Sequence, residues 1–327
     1  MKRAVLAAVC AVAVSVALWG CGGSAAGADV RENEGVEGMD IQESGAGSGD
    51  ASGQVGNGGQ GAAGAETGQN IDAAQESAGT ESQADAVRLA GTTFSILGDS
   101  ISTFQGSNPV GYYAFFPDNG EVEEVEDTWW QRVADDLELT LYVNGSSSGA
   151  TVAGDSTGTE DPQCGCNELR TNDLSGPAGT CPDRVVIFLG TNDMLKAIPL
   201  GDNDGTELVE EGEVETFSDA YTLMLDKVQA NYPLAEIYCC TLLPVGDYGT
   251  ETPYVEFVNS KQLTSADYGE VIAGIAESRE LPVIDLSACG ITIENLQEMT
   301  SDGVHPTAAG MECIAEAVKE AFVVQAQ

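Results

Sequence analysis

Residues 92–102 read TTFSILGDSIS, a short apolar run followed directly by small polar residues. Four more runs of this kind occur along the chain: LTLYVN (139–144), DRVVIFLG (183–190), AEIYCCTLL (235–243) and LPVIDLS (281–287). Apolar runs of this length, bounded by Gly, Pro and polar residues, are typical of buried β-strands. The sequence therefore predicts five strands between residues 92 and 287.

The segments between and after these runs carry apolar residues at helical spacing. Three such faces are Phe217, Tyr221, Met224, Leu225 and Val228; Tyr268, Val271, Ile272, Ile275 and Ala276; and Met311, Ile314, Ala315, Val318 and Phe322. Strands that alternate with helices predict an α/β fold with a doubly wound parallel sheet. Because sites in such sheets form at the carboxyl ends of the strands, the residues that follow each run are candidates for function.

The first 88 residues differ in composition from the rest of the chain. Residues 1–21 contain Lys2 and Arg3 followed by an apolar run of about 15 residues, which is typical of a secretory signal and too short for a membrane span. Residues 22–88 are mostly Gly, Ala, Ser, Gln, Glu and Asp, and this composition predicts a flexible tether. The folded domain is therefore expected at residues 89–327.

The end of the signal segment, Leu18-Trp19-Gly20-Cys21, resembles a bacterial lipobox. The resemblance implies that Cys21 is lipidated and that the protein is an extracytoplasmic, membrane-anchored lipoprotein. Ordinary cleavage and release is the alternative.

The chain has a formal net charge of −41, of which about −33 belongs to residues 89–327. Such a charge repels nucleic acids and anionic lipid head groups. We therefore expect no nucleic-acid partner, and contact with a membrane only through a lipid at Cys21.

Three cysteines, Cys164, Cys166 and Cys181, cluster in a loop-like stretch. Outside the cytoplasm this spacing is compatible with a disulfide between Cys181 and either Cys164 or Cys166. Zinc is the competing interpretation, but three cysteines without a nearby histidine fit a zinc site poorly. We expect neither a metal nor a cofactor.

Polar motifs follow four of the predicted strands: Gly98-Asp99-Ser100, NGSSSGAT (144–151), GTND (190–193) and Asp302-Gly303-Val304-His305-Pro306. Each motif alone is also compatible with a turn or a helix cap. Together they supply the groups that acyl transfer requires, with Ser100 as nucleophile, His305 as base and Asp302 orienting the histidine. Backbone and amide N–H groups of the other two motifs would hold the oxyanion. His305 is the only histidine in 327 residues, so no other imidazole can be the base.

These four motifs resemble those of the SGNH, or GDSL-type, hydrolases. The resemblance implies an oxyanion hole formed by Ser100, Gly149 and Asn192, beside the triad of Ser100, Asp302 and His305. It also implies a flavodoxin-like three-layer sandwich with a five-stranded parallel sheet, and ester hydrolysis without a metal. The first motif reads GDSI instead of GDSL, and that position is apolar in both.

A further resemblance, to secreted bacterial members, rests on Ser102-Thr103-Phe104, on EDTWW (126–130) and on Arg170. Trp129, Trp130 and Arg170 are candidates for lining the substrate site, and the alternative for the tryptophans is that one of them anchors a helix on the sheet. The aromatic stretch 108–120 is a candidate substrate loop. The acidic stretch 194–215 is expected to be a solvated loop, with a lid or a weak calcium loop as alternatives, because its carboxylates do not follow the EF-hand spacing.

The sequence thus predicts an extracytoplasmic serine esterase that removes acetyl or similar acyl groups from glycans. A tether and few aliphatic insertions suit a hydrated polymer better than a triglyceride. A lipase, lysophospholipase or thioesterase of the same fold is the alternative enzyme. A surface module that binds glycans without turnover is the alternative from another class.

Overall fold

The computed structural model describes residues 88–154, 162–212, 214–247 and 253–326. Five strands in these residues form one sheet: β1 (Thr93–Gly98), β2 (Thr140–Asn144), β3 (Arg184–Phe188), β4 (Glu236–Cys240) and β5 (Val283–Ile284). Their order across the sheet is β2-β1-β3-β4-β5, and every neighbouring pair is parallel. All five carboxyl ends therefore meet at one edge, and the predicted five-stranded parallel sheet is confirmed.

The helices of the described residues pack on both faces of this sheet. They are α1 (Trp129–Asp136), α2 (Glu168–Asn172), α3 (Thr191–Leu195), α4 (Phe217–Asn231), α5 (Ser265–Ser278), α6 (Leu296–Met299) and α7 (Ala308–Gln325). Side chains of β3 alternate between the two faces, as the twofold period of a strand requires. Val185 and Ile187 join a core with α4 and α5, whereas Val186 and Phe188 join a core with α1 and α7. This arrangement is the predicted three-layer sandwich.

Threonine caps define where four of the helices begin, among them α4, where Thr216 accepts the N–H of Asp219 at 3.2 Å. Thr128 and Thr307 accept backbone N–H groups in the first turns of α1 and α7. Thr264 and Asp267 form a reciprocal capping box at the start of α5. The cap at Thr307 fixes the end of the turn that contains His305.

Strand β5 is shorter than the run LPVIDLS predicts, because Asp285 ends it. The Asp285 Oδ1 accepts the backbone N–H of Ser287 at 3.1 Å and caps a 3-10 turn over Leu286–Ala288. Leu286, the apolar residue after Asp285, is therefore buried in a turn and not in the sheet.

The predicted signal segment (1–21) and the tether up to residue 87 lie outside the described residues, and so does Cys21. Among the helices that the structure describes, none combines the length and apolar character that a membrane span requires.

Candidate active site

Ser100 lies in the first turn after β1. Asp99 caps this turn, because its Oδ1 accepts the backbone N–H of Ile101 at 3.1 Å. Gly98 allows the loop that follows β2 to approach the end of β1 closely, since a Cβ at residue 98 would lie 2.6 Å from Ser146 Oγ. Ser100 is therefore held at the carboxyl edge of the sheet, with 6% of its surface exposed.

His305 and Asp302 lie in the turn before α7. The Asp302 Oδ1 accepts the backbone N–H groups of Val304 at 3.0 Å and of His305 at 2.8 Å. The Oδ2 lies 2.7 Å from Nδ1 of the His305 imidazole. On the other side of the ring, Nε2 lies 2.8 Å from Ser100 Oγ. The fold thus joins Asp302, His305 and Ser100 in one hydrogen-bonded chain across 205 positions of sequence.

Asp302 is well suited to stay ionised beside the imidazole. Burial opposes its charged form, but hydrogen bonds from the His305 side chain and from the turn outweigh this and hold the pKa of Asp302 below its ordinary value. An ionised Asp302 favours the tautomer in which Nδ1 carries the proton. The His305 Nε2 is then left to accept the proton of the Ser100 hydroxyl.

The carboxyl group of Asp99 has a different environment. It is fully buried, and its Oδ2 has no hydrogen-bond partner among the described residues. Burial raises the pKa of Asp99 to about 6, although the N–H of Ile101 and the charges of His305 and Arg170 oppose the shift. Asp99 shapes the nucleophile turn through its second oxygen, Oδ1.

Phe115 covers one face of the His305 ring. The ring centroids are 3.5 Å apart and the planes differ by 10°, and Phe116 approaches the same imidazole edge-on at 6.3 Å. The backbone N–H of Phe115 donates to Thr103 Oγ1 at 2.8 Å. This bond joins the stretch 108–120 to the turn over residues 99–103 that contains Ser100, the predicted nucleophile turn. The sequence marked this stretch only as a candidate substrate loop. No local pattern signals the stacking, because it depends on contact between distant positions.

The loop after β2 brings Gly149 and Asn192 together. The backbone N–H of Ser147 donates to Gly98 O at 3.1 Å, which places this loop against the nucleophile turn. Asn192 Nδ2 donates to Ala150 O at 2.9 Å, so Asn192 lies directly beside Gly149. Gly149 has a φ of +80°, a backbone conformation that favours glycine. The two predicted oxyanion donors therefore lie on neighbouring segments, and the loop that contains Gly149 is bonded to the end of β1.

The expectation that Trp129 and Trp130 line the substrate site is wrong. Both side chains are buried, and each indole N–H donates at 3.0 Å to Ser102, Trp129 to the hydroxyl and Trp130 to the carbonyl. The tryptophans pack α1 on the sheet and hold the nucleophile turn through their bonds to Ser102. Buried indoles need hydrogen-bond acceptors, and Ser102 supplies both.

Arg170 is also too buried to contact a substrate, because only 1% of it is exposed. One guanidinium nitrogen donates to Gly98 O and Gly145 O, both at 2.8 Å, and another donates to Pro162 O. The Tyr112 ring lies under the guanidinium at 5.4 Å. Arg170 therefore joins the end of β1 to the loop after β2.

The disulfide between Cys181 and Cys164 or Cys166, which the sequence left open, does not form in the described structure, in which all three thiols are free. Cys164 and Cys166 contact Val152 at the carboxyl edge of the sheet. Cys181 precedes β3 and so lies toward the opposite edge. Five residues of strand span about 16 Å, far more than the Cα separation of about 7 Å that a disulfide allows.

The acidic stretch after α3 is a turn held by its own hydrogen bonds. Asn203 Oδ1 accepts the N–H of Gly205 at 2.9 Å, and its Nδ2 donates to Asp219 Oδ1 at 3.2 Å. Across the described ranges, no group of three or more His, Cys, Asp or Glu side chains has an arrangement that could hold a metal ion.

Comparison with known proteins agrees with this geometry. A family model described as GDSL-like lipase/acylhydrolase matches residues 92–250. No curated protein matches the chain in sequence.

Solved structures share the fold over most of the described chain. A protein described as a GDSL-like lipase from Bacteroides ovatus is 27% identical, with a TM-score of 0.51, and the match covers 71% of this chain and 97% of that one. A similar protein from Bacteroides uniformis is 24% identical with a TM-score of 0.51, over 70% of this chain and 94% of that one. A protein from Lactobacillus plantarum is 20% identical with a TM-score of 0.52, and the match covers 71% of this chain and 96% of that one.

The family match begins at β1 and includes both Ser100 and the GTND motif. The strand order and the motifs at the carboxyl edge agree with that match. The chain belongs to the SGNH, or GDSL-type, hydrolase family and is a serine ester hydrolase.

Proposed function

We propose that Ser100, His305 and Asp302 form the catalytic triad of this esterase and that its substrates are glycans carrying acetyl or similar short acyl groups. The hydrogen-bonded chain from Asp302 through His305 to Ser100 carries the assignment of the triad. Its distances are those of a nucleophile and a base in direct contact.

The reaction proceeds through an acyl-enzyme. Ser100 Oγ attacks the acyl carbonyl carbon while His305 Nε2 takes the hydroxyl proton, and Asp302 stabilises the resulting imidazolium. The tetrahedral intermediate collapses, and the leaving alkoxide takes the proton from His305. Water then attacks acyl-Ser100 by the same route, and the carboxylic acid is released.

The oxyanion is held by the backbone N–H groups of Ser100 and Gly149 and by the Asn192 side chain. Asn192 carries two amide hydrogens. One of them is used by Ala150 O at 2.9 Å, so that the amide is fixed and its other hydrogen is left for the oxyanion. A preorganised donor of this kind contributes more to the transition state than to the bound substrate.

The accessible side chains around the loop that contains Gly149 support a hydrated, sugar-like substrate. Gln163, Asn192 and Lys196 all donate to the loop that contains Gly149 or contact it, and all three are partly or fully accessible. Tyr113 is bonded to the same loop through its backbone, and 62% of its surface is exposed. An exposed aromatic ring with polar neighbours is a surface on which a sugar ring can stack.

The esterase is also proposed to act outside the cytoplasm, attached to the membrane through a lipid at Cys21. Support comes from the sequence alone: a basic start, a short apolar run and a lipobox-like Leu18–Cys21 segment. Expression of the full chain and of Cys21→Ser in a bacterial host, followed by membrane fractionation, tests this. Wild-type protein is expected in the membrane fraction and the variant is not; equal distribution would contradict the anchor.

Ser100→Ala and His305→Ala test the triad. Each is expected to remove nearly all activity toward p-nitrophenyl acetate, and the double variant is expected to be little worse than either, because triad residues act as a unit. Ser260→Ala, an exposed serine in another loop, is the control. Near wild-type turnover by His305→Ala would overturn the assignment.

The substrate class is tested with p-nitrophenyl esters of increasing chain length beside acetylated glycans. Release of acetate from the glycans, with turnover falling as the acyl chain lengthens, is expected. A preference for long acyl chains would favour the lipase alternative instead.

A further inference from the structure

Helix α3 holds the loop 149–153 through three of its side chains. Asn192 Nδ2 donates to Ala150 O at 2.9 Å, and Lys196 Nζ donates to Gly149 O at 3.2 Å. Asp193 contributes the two remaining bonds, because its Oδ2 accepts the N–H of Val152 at 2.7 Å and its Oδ1 accepts that of Ala153 at 2.9 Å. Nearly every residue of the loop that contains Gly149 is therefore bonded to one helical turn.

Asp193 is fully buried, and both of its carboxylate oxygens serve as acceptors. The ionised form can accept both backbone N–H groups at once. A protonated carboxyl must direct its own O–H somewhere, and one N–H of the loop would then face a donor. An N–H left unsatisfied in a buried site is costly, so protonation of Asp193 would shift the loop.

Gly149 depends on this anchoring. Its φ of +80° is one of several conformations open to glycine, so its own backbone does not hold the direction of its N–H. The bonds to the residues that follow it hold the loop in place. Of these, the pair from Asp193 is the only one among the described side-chain contacts that depends on an acidic group.

We propose that Asp193 is a positioning residue for the oxyanion hole, whose ionised carboxylate holds the loop 149–153 in the shape that presents the Gly149 N–H to the substrate. This inference rests on the proposed function of Gly149. It adds a second protonation requirement to catalysis, since Asp193 must be ionised while His305 must be neutral.

The environment of Asp193 places its titration near neutral pH. Burial raises the pKa of Asp193 to about 7, although the N–H groups of Val152 and Ala153 and the Lys196 ammonium oppose the shift. The other titratable groups that interact with it are the thiol of Cys166 and the phenol of Tyr268. Neither carries a charge below pH 7, so protonation of Asp193 itself is the event that weakens the loop.

The pH profile of the wild-type protein is the first test. If Asp193 and the base must both be unprotonated, log kcat/KM of the wild type falls by more than one unit per pH unit at pH values below both ionisations. Asp193→Asn removes one of these groups, so its profile is expected to fall by one decade per unit at most. A wild-type slope of one would overturn the proposal. An equally steep slope in Asp193→Asn would also overturn it and would point to Asp99.

The split between kcat and KM is the second test. Asp193→Asn replaces one acceptor by an amide donor facing a backbone N–H, so kcat is expected to fall about 10- to 100-fold, part of the effect of losing an oxyanion donor. KM is expected to change less than about threefold, because the loop acts on the transition state. Unchanged kcat would overturn the proposal.

Asp285→Asn is the matched control. Asp285 also lies after a strand and also accepts a backbone N–H, from Ser287 at 3.1 Å, but it does not contact the loop 149–153. The variant Asp285→Asn is expected to have a lower free energy of unfolding and an unchanged kcat. A kcat loss equal to that of Asp193→Asn would assign the effect to general destabilisation.

Hydrogen exchange of the wild-type amides of Val152 and Ala153 separates this inference from the proposed function, because it needs no turnover. After correction for intrinsic exchange, protection of both amides is expected to decrease as pH falls below about 7. Protection independent of pH would overturn the role of Asp193 even if Ser100→Ala is inactive. Active Ser100→Ala with pH-dependent protection would overturn the triad and leave the anchoring of the loop intact.

Discussion

At the scale of single residues, the His305 ring is restrained on three sides. Asp302 bonds Nδ1, Ser100 bonds Nε2, and Phe115 stacks on one face. Two in-plane hydrogen bonds fix the rotation of the ring and the stacked phenyl group limits its tilt. The proposed nucleophile and base are therefore aligned before a substrate binds, which would lower the entropic cost of reaching the transition state.

Asn192→Ala is expected to lower kcat by roughly 10²–10³, because one oxyanion donor contributes about 3–4 kcal/mol in the transition state. KM is expected to change little. Steady-state kinetics on p-nitrophenyl acetate measure both, with Asn203→Ala, in the acidic loop, as the control. An effect confined to KM would place Asn192 in ground-state binding.

Trp130→Phe tests the structural role of the buried tryptophans. The change removes the N–H that donates to Ser102 O and leaves a small cavity, so we expect a loss of stability of about 1–3 kcal/mol. KM is expected to stay within about twofold of the wild type. Urea unfolding and KM on an acetylated glycan give the two values, and a large rise in KM with unchanged stability would restore the substrate-lining role.

At the scale of elements, the site is assembled from turns that follow β1, β2 and β3 and from the turn before α7. The close approach of β1 and the loop after β2 depends on Gly98 and on the Arg170 guanidinium. Parallel strands bring their carboxyl ends to one edge, so the segments after β1, β2 and β3 each contribute one group of the proposed site and the turn before α7 contributes two, Asp302 and His305.

Gly149→Ala is expected to reduce kcat, because an alanine at a φ of +80° is strained by about 1–2 kcal/mol and its Cβ would lie 3.0 Å from Gln163 Oε1. Gly91→Ala is the matched control, since Gly91 has a φ of +81° and open space around its Cβ position. Both variants are expected to lose similar stability, and only Gly149→Ala is expected to lose kcat. Equal kcat values would show that the conformation at residue 149 is not needed for turnover.

At the scale of the whole molecule, buried carboxyl groups link stability to pH. The pKa of Asp99 is raised from 3.8 to about 6, so the folded state binds its proton more tightly than the unfolded state. The contribution of Asp99 to the free energy of unfolding is fully present below about pH 4. It is lost as pH rises to about 6, by at most about 1.4 kcal/mol per pH unit.

Asp99→Asn removes this dependence and keeps an acceptor for the Ile101 N–H. As pH rises from 4 to 6, the free energy of unfolding of the wild type is expected to fall relative to that of the variant. Above pH 7 the difference between the two is expected to stay constant. Urea unfolding at pH 4.5, 6 and 7.5 measures it. A difference independent of pH would show that Asp99 titrates alike in both states.

Metal removal is a second test on the whole molecule. The proposed steps use only side-chain and backbone groups of the chain, so EDTA treatment is expected to leave kcat/KM unchanged. Loss of activity that an added divalent cation restores would contradict this expectation and would point to the acidic stretch 194–215 as an ion site.

Much of the fold was readable from local sequence patterns. The strand runs and the helical faces depend on the period of apolar residues within a few positions, and this period is present in the sequence without tertiary context. The family motifs that contain Ser100, Gly149, Asn192, Asp302 and His305 likewise follow predicted strands, and the roles of these residues stay a prediction. β5 was overextended because a single capping aspartate, Asp285, ended it.

Tertiary packing alone decided how the environment of the site was built. Trp129, Trp130 and Arg170 belong to motifs that suggested substrate contact, yet the covering of both sheet faces buried them, and they bond Ser102 and the ends of the strands instead. The stacking of Phe115 on His305 and the two bonds of Asp193 join segments that are distant in sequence. Contacts of this kind leave no local period in the chain, because they depend on which elements become neighbours once the sheet has formed.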